Sequence, residues 1–230
     1  MKVKYMELLY IIIKRFFDII LCGFALIVLS PIYLITAIAI KLSSPGPVLY
    51  YSDRAGLNGK AFHFYKFRSM HQTNKDKGMF QADPDRLFPV GKLIRRWKID
   101  ELPQLLNVIK GDMSIVGPRP MTMHGVDEFY VGRYEEVRSV KPGLTSVASL
   151  FDYKVGDTYH DDAAYEREVL PMKNEMELYY VHHRSFIYDC ELVWRTIVTI
   201  IQVVFGKKEF KPEKEYAVCK RNLEELGLFK

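Results

Sequence analysis

Phe16 to Ile40 constrains this chain more than any other stretch. It reads FFDIILCGFALIVLSPIYLITAIAI, and its only strongly polar side chain is Asp18, with Ser30 and Thr36 further in. As one straight helix the run would extend roughly 37 Å at 1.5 Å per residue. That exceeds the roughly 30 Å hydrocarbon core of a bilayer. The apolar part is longer than a usual signal-peptide core, and no small-x-small cleavage site follows it. Ser30–Pro31 falls near its middle. Pro31 lacks a backbone donor and clashes with the carbonyl four residues back, so a kink or break is expected there. The Ser30 hydroxyl is placed to satisfy a carbonyl freed by that break.

Both flanks of the run are basic, with Lys2, Lys4, Lys14 and Arg15 before it and Lys41 after it. Basic flanks favour the cytoplasmic side. Finding them at both ends fits a helix that enters the bilayer, bends and returns, each half being about 21 Å and too short to span alone. An ordinary membrane-spanning helix with a proline kink fits the same residues, and the two readings stay open on these residues alone.

The remainder of the 230 residues has room for one folded domain. A net charge of +5 suits phosphorylated small molecules, anionic lipid headgroups or nucleic acid. Cys22, Cys190 and Cys219 show neither CxxC spacing nor a nearby His pattern, which fits inert thiols in a reducing compartment. Turn chemistry in Ser44-Pro-Gly-Pro47 ends the apolar segment. The aromatic and β-branched runs Val48–Ser52 and Ala61–Phe67, separated by a turn-forming stretch, predict a β-hairpin. His71 to Pro84 reads as a polar loop. Helices are expected from Val90 to Trp97, from near Asp100, over Glu128–Val140 and over Tyr165–Tyr180, with a short strand at Met113–Val116. Leu192–Phe205 carries polar residues only at Arg195, Thr196, Thr199 and Gln202. On a helix these four share one side, opposite a wide apolar face that includes Trp194 and Phe205. With Lys207 and Lys208 following, this fits a helix in a membrane interface, or else one packed in a core. Residues 207–230 read as a charged peripheral tail.

Ile99-Asp100-Glu101-Leu102-Pro103 carries the chemistry. Proline is tolerated in the first turn of a helix, so the two acids are expected at a helix N-terminus. Backbone donors and the helix dipole would keep a carboxylate ionised there. An ionised, oriented Asp can act as a nucleophile, and a neighbouring Glu can hold a metal or accept a proton. The pair is equally a plain helix cap. Arg95, Arg96, Lys66, Arg68 and Arg119 supply cations, and Pro118 and Pro120 stiffen the loop around Arg119. Arginine suits fork-like contact with phosphate, and lysine suits point-charge contact. The alternative for each is a solvated surface cation.

Several motifs in fixed order resemble the bacterial sugar transferases, the monotopic phosphoglycosyl transferases. They are Lys14-Arg-Phe-Phe-Asp18, Ser30-Pro31, Ser44-Pro-Gly-Pro47, Lys66-Phe-Arg-Ser-Met70, Gly91-Lys-Leu-Ile-Arg95, Asp100-Glu-Leu-Pro-Gln-Leu105, Asn107-Val-Ile-Lys-Gly-Asp-Met-Ser114, Val116-Gly-Pro-Arg-Pro120 and Lys141-Pro-Gly-Leu-Thr145. The resemblance implies a mostly α, α/β monotopic membrane protein. A re-entrant helix–break–helix would occupy residues 1–43, with the break at Ser30 and Pro31. A small catalytic domain with a hairpin and amphipathic interfacial helices would occupy 44–206, leaving 207–230 as a tail. It implies location at the cytoplasmic face of the bacterial inner membrane, among its lipids. The implied activity moves a phosphosugar from a UDP-sugar to polyprenyl (undecaprenyl) phosphate and releases UMP, as the first membrane step in building a surface glycan such as an exopolysaccharide. Asp100 would form a covalent phosphosugar intermediate. Asp100 and Glu101 would hold Mg²⁺, with Glu101 assisting the acceptor step. Arg95, Arg119 and Pro120 would form the phosphate site, supported by Lys66 and Arg68. A homodimer is left open.

The chain departs from the family pattern after Thr145, where Ser146-Val-Ala-Ser-Leu-Phe-Asp-Tyr153 replaces the usual Gly-rich continuation, and at Phe88, where a Thr is common. These departures bear on sugar identity and loop shape. The alternatives are a non-catalytic membrane-anchored scaffold, against which the intact Asp100–Glu101 pair and its cations argue, and a nucleic-acid binder, against which the modest charge and the apolar segment argue.

Overall fold

The computed structural model describes residues 2–71, 87–155, 162–207 and 210–228. The loop expected at 71–84 lies outside these beyond His71, as does Lys208. The chain opens with two helices, α1 (Lys2–Val28) and α2 (Ser30–Ser43), bent by 59° across Leu29. Pro31 is the cause. It leaves the Ile27 carbonyl without its helical donor, and the Ser30 hydroxyl donates to that carbonyl at 2.8 Å. No single helix among the described residues is both long and apolar enough to cross a membrane, though the bent pair meets that test jointly. The first arm is longer than the apolar run suggests. The helix starts at Lys2 because residues 2–15 contain no breaker, which makes α1 roughly 40 Å long.

The hairpin forms as expected, from β1 (Leu49–Ala55) and β2 (Ala61–Phe67), antiparallel with Leu49 opposite Phe67 and Ala55 opposite Ala61. Then come α3 (Pro89–Arg96), a single 3-10 turn at Ile99–Glu101, and α4 (Gln104–Lys110), which ends on Gly111 in the left-handed conformation. Strand β3 (Ser114–Val116) pairs in parallel with β4 (Gly143–Thr145). The helix expected at 128–140 is instead split. Helix α5 (Met123–Phe129) ends at Tyr130, and a 3-10 stretch runs over Gly132–Ser139, with Gly132 at φ +60° providing the break. Helices α6 (Val147–Val155), α7 (Asp162–Glu168), α8 (Leu170–His183), α9 (Phe186–Val204) and α10 (Tyr216–Glu225) complete the chain. The whole is a mostly helical α/β fold with two small sheets.

The largest core lies between α6, α8, α9 and α10, around Leu150, Met172, Met176, Tyr180 and Leu192. Cys219 and Leu223 of α10 are fully buried in it. The segment expected as a peripheral tail is therefore part of the core. Its charges mask this in the sequence, because Glu213 and Glu215 are buried against Arg195 of α9 rather than solvated. Helix α9 turns polar residues as well as Leu192 inward. Thr199 is buried, Thr196 bonds Thr145 at 2.6 Å and Arg195 pairs inward, while Ile187, Trp194, Ile197, Ile201 and Phe205 are exposed. The helix thus packs Leu192 and Val193 into the core and leaves the part of its apolar surface that holds Trp194 and Phe205 exposed.

The bent helix pair α1–α2 grips both ends of α4. From α1, Arg15 donates to the Val108 and Ile109 carbonyls at 2.5 and 2.7 Å, meeting the negative end of the helix. From α2, the Tyr33 hydroxyl donates to the Leu102 carbonyl at 2.5 Å, just before α4 begins. Asp18 is removed from the apolar surroundings its sequence position suggests. It accepts from the Ser114 hydroxyl (2.8 Å) and the Ile115 amide (3.0 Å). Lys14 pairs with buried Asp189 of α9 at 2.5 Å.

Candidate active site

Asp100 and Glu101 do not cap a helix. They lie in the 3-10 turn, α4 starts after Pro103, and no side chain caps either element. The expectation that a helix terminus keeps Asp100 ionised is therefore corrected. Asp100 is 5% exposed, and its Oδ1 has no hydrogen-bond partner. Burial, and then the adjacent Glu101, push its carboxyl above the usual carboxylate range, while Lys66, Lys98 and Arg95 pull against that shift. Glu101 is the opposite case. Desolvation works against its charge, but Lys66, Arg119 and Lys98 outweigh it and lower the carboxyl to about 2. Lys66 on β2 supplies the direct contact, Nζ to Oε1 at 2.9 Å. Two neighbouring carboxyls are thus driven in opposite directions by their surroundings, a pattern typical of acid–base and nucleophilic sites.

Lys98, immediately before this turn, has φ +56°. An L-residue there costs about 1–2 kcal/mol, and such strain is commonly retained at functional sites. Its ammonium lies 4.6 Å from the Tyr153 ring centroid. Both residues were missed in the sequence. Lys98 was legible as a third cation beside the acids, whereas Tyr153, in the departing segment after Thr145, gave no sign of where α6 would place it.

Arg119 is set by backbone packing. The Gly117 and Gly143 backbones cross so closely that a Cβ on Gly143 would lie 2.1 Å from the Gly117 nitrogen. The Arg119 amide donates to Glu177 Oε1 at 2.9 Å, and the Ser146 hydroxyl donates to the same oxygen at 2.9 Å. Glu177, deep in α8, is a third residue bearing on the site that the sequence did not reveal. Pro120 is buried and stiffens the loop. Arg95, in the last turn of α3, acts on Asp100 through its field. Arg68 is not brought into the group. Its guanidinium donates to the Pro47, Pro45 and Ser44 carbonyls and the Ser44 hydroxyl at 2.7–3.0 Å, so that the Ser44-Pro-Gly-Pro47 turn wraps around it. Buried turn carbonyls need such donors.

A cavity of about 250 Å³ adjoins Lys98, Glu101 and Arg119 and runs beside Leu144, Leu150 and α9. Among the described residues, no three His, Cys, Asp or Glu side chains gather as a metal cage. Mg²⁺ does not require one, since it commonly takes one or two carboxylates with substrate phosphates and water. The unbonded Asp100 Oδ1 and the adjacent ionised Glu101 fit that donor set.

Buried Asp100 and half-buried Glu101, within the fields of Lys66, Lys98, Arg95 and Arg119 and beside the bent apolar helix pair, form a site whose charges suit an anionic ligand. The chain belongs to the bacterial sugar transferase family, whose model matches residues 9–203. It is 41% identical over 197 residues to the UDP-N-acetylgalactosamine-undecaprenyl-phosphate N-acetylgalactosaminephosphotransferase of Aeromonas hydrophila, covering 84% of this chain and 44% of that protein. It is 38% identical to the UDP-glucose:undecaprenyl-phosphate glucose-1-phosphate transferase of Escherichia coli K12, with 81% and 39% covered. The exopolysaccharide production protein PSS of Rhizobium leguminosarum is 39% identical, with 82% and 95% covered. The chain thus spans less than half of the first two relatives and nearly all of the third.

Proposed function

We propose that this chain transfers a sugar phosphate from a UDP-sugar to undecaprenyl phosphate, with Asp100 as nucleophile, in the assembly of a surface polysaccharide. One observation carries the reading: Asp100 is buried with an unbonded carboxylate oxygen, one residue from an ionised Glu101, inside a ring of cations. An oxygen without a donor keeps its lone pairs for attack. In the reaction, an Asp100 oxygen bonds to the β-phosphorus. The bond from that phosphorus to the bridging oxygen breaks, and UMP leaves with the electron pair. A phosphate oxygen of the acceptor then attacks the same phosphorus and frees the Asp100 carboxylate. Arg119 and Arg95 hold the phosphates, Lys98 offsets their charge, and Lys66 keeps Glu101 ionised and fixed. Asp100 and Glu101 would hold Mg²⁺, which supplies charge neutralisation for the diphosphate. The names of the relatives support the donor and acceptor classes.

The same reading places the chain at the cytoplasmic face of the bacterial inner membrane, with α1–α2 re-entrant and α9 in the interface. The outward apolar residues of α1 and α9 support it, and Phe17 and Phe186 join the two helices at 5.0 Å between ring centroids. The test is UMP release across a panel of UDP-sugars with undecaprenyl phosphate and Mg²⁺. The wild type is expected to release UMP with at least one donor and Asp100→Asn to release none. Full activity in Asp100→Asn would remove the nucleophile assignment.

A further inference from the structure

The cavity beside Glu101 has two kinds of wall. Lys98, Glu101 and Arg119 are charged, whereas Leu144, Val193 and Ile200 are aliphatic. Thr145 and Thr196 also line it, but the Thr196 hydroxyl donates to the Leu192 carbonyl at 2.7 Å. Thr145 therefore supplies the proton between the two hydroxyls, and neither has one left for a ligand. Gln104, whose Nε2 has no partner, Ser149, Tyr153 and Thr199 add polar groups, so it is the continuous aliphatic wall, and not a want of donors, that favours a hydrocarbon over a sugar. The cavity also opens outward. Ile197 lines it and is yet 46% exposed, on the same face of α9 as Trp194 and Ile201. At about 250 Å³ it is just under the roughly 300–1,000 Å³ of drug-sized ligand sites. It has room for a short hydrocarbon segment and not for a long tail.

We propose that this cavity is the acceptor's subsite, taking the phosphate-proximal isoprene units of a lipid phosphate that slides in sideways past Ile197 of α9. The charged wall meets the phosphate, the aliphatic wall meets the first isoprenes, and the rest of the tail remains on the outer apolar face of α9. This rests on the lipid-phosphate acceptor proposed above. Its consequence is a division of labour: the sugar nucleotide approaches from the Lys66 and Arg95 side, and the lipid from the α9 side. The two substrates then address the same phosphorus without exchanging places.

Val193→Trp fills the cavity, and Ile197→Glu places a charge at its mouth on an already exposed position. Both are expected to form the phosphosugar–protein adduct from labelled UDP-sugar within twofold of wild type. Both are expected to raise KM for undecaprenyl phosphate at least tenfold, and equally for a water-soluble two-isoprene phosphate. Unchanged transfer to both acceptors would overturn the proposal. So would adduct formation falling in step with transfer, which would make the cavity the donor's. A defect confined to the long acceptor would also overturn it, by making α9 a membrane contact only. A diazirine-bearing isoprenyl phosphate gives a readout independent of turnover. Crosslinks to residues 193–200, lost in Val193→Trp, are expected, and crosslinks confined to other segments would refute the subsite. Intact crosslinking with no UMP release from any donor would instead sink the transferase reading and leave the lipid subsite standing.

Discussion

Replacing Glu177 by Gln is expected to stabilise the protein at alkaline pH and to cost it about 1 kcal/mol at acid pH. Glu177 is 2% exposed. Its Oε1 accepts from the Arg119 amide and the Ser146 hydroxyl, and its Oε2 has no partner. Burial pushes its carboxyl up to about 7, against the pull of those two hydrogen bonds and of Lys173 and Arg119. A carboxyl raised in the folded state binds its proton more tightly there than in the unfolded chain. Stability is therefore greatest below the ordinary value of 4.5 and declines as pH rises towards 7. A shift of this size corresponds to about 3 kcal/mol at 1.36 kcal/mol per unit. Glutamine keeps the accepting oxygen and carries no charge, but its amide lacks a buried acceptor, which costs about 1 kcal/mol. The net gain above pH 8 is about 2 kcal/mol, or roughly 4–8 °C in Tm for a chain of this size. The assay is thermal unfolding of both proteins in one detergent from pH 5 to 9. The difference should open between pH 5 and 8 with Glu177→Gln the more stable. A pH-independent difference, or a loss of stability in Glu177→Gln at pH 8, would refute the reasoning.

Lys66→Met removes the 2.9 Å charged hydrogen bond to Glu101. It should lower kcat/KM for UMP release by about ten- to a hundredfold, following the roughly 1.5–3 kcal/mol of such bonds, and an unchanged value would detach Lys66 from the site. Arg68→Lys cannot reproduce four donations to the Ser44–Pro47 turn. A fall in Tm is expected from it, corresponding to about 2 kcal/mol, with KM for the donor unchanged. Arg195→Leu leaves Glu215 buried without its cation and should destabilise by about 3–5 kcal/mol, measured by denaturant unfolding. Cysteine labels placed before residue 16 and after residue 40 should both react only from the cytoplasmic side, and opposite-side labelling would restore a plain membrane span.

Much of the site was legible because its chemistry is carried by short, local motifs. The Ser30–Pro31 break follows from a missing N–H and a nearby hydroxyl, both properties of adjacent residues. The hairpin follows from alternation and turn composition. Glu101 with Lys66 and Arg119 was gathered by the order of the motifs, and the structure brings the three together. Arg68 was misplaced because a buried guanidinium that serves turn carbonyls has the same sequence signature as one that serves phosphate.

By itself the sequence determined the Ser30–Pro31 break, the β-hairpin and the adjacency of the two candidate acids, since these depend on neighbours within a few residues. Only the tertiary structure decided what those residues experience. The Asp100 carboxyl is pushed up by burial and by Glu101, and that of Glu101 is held down by Lys66, Arg119 and Lys98, and such fields depend on distances through space. The C-terminal segment became core because its acids met Arg195 of α9. Helix α9 turned its apolar face outward because Arg195, Thr196 and Thr199 found partners or burial within the fold. Hydrophobic patterning reports which residues share a face, and only long-range packing settles which way that face points.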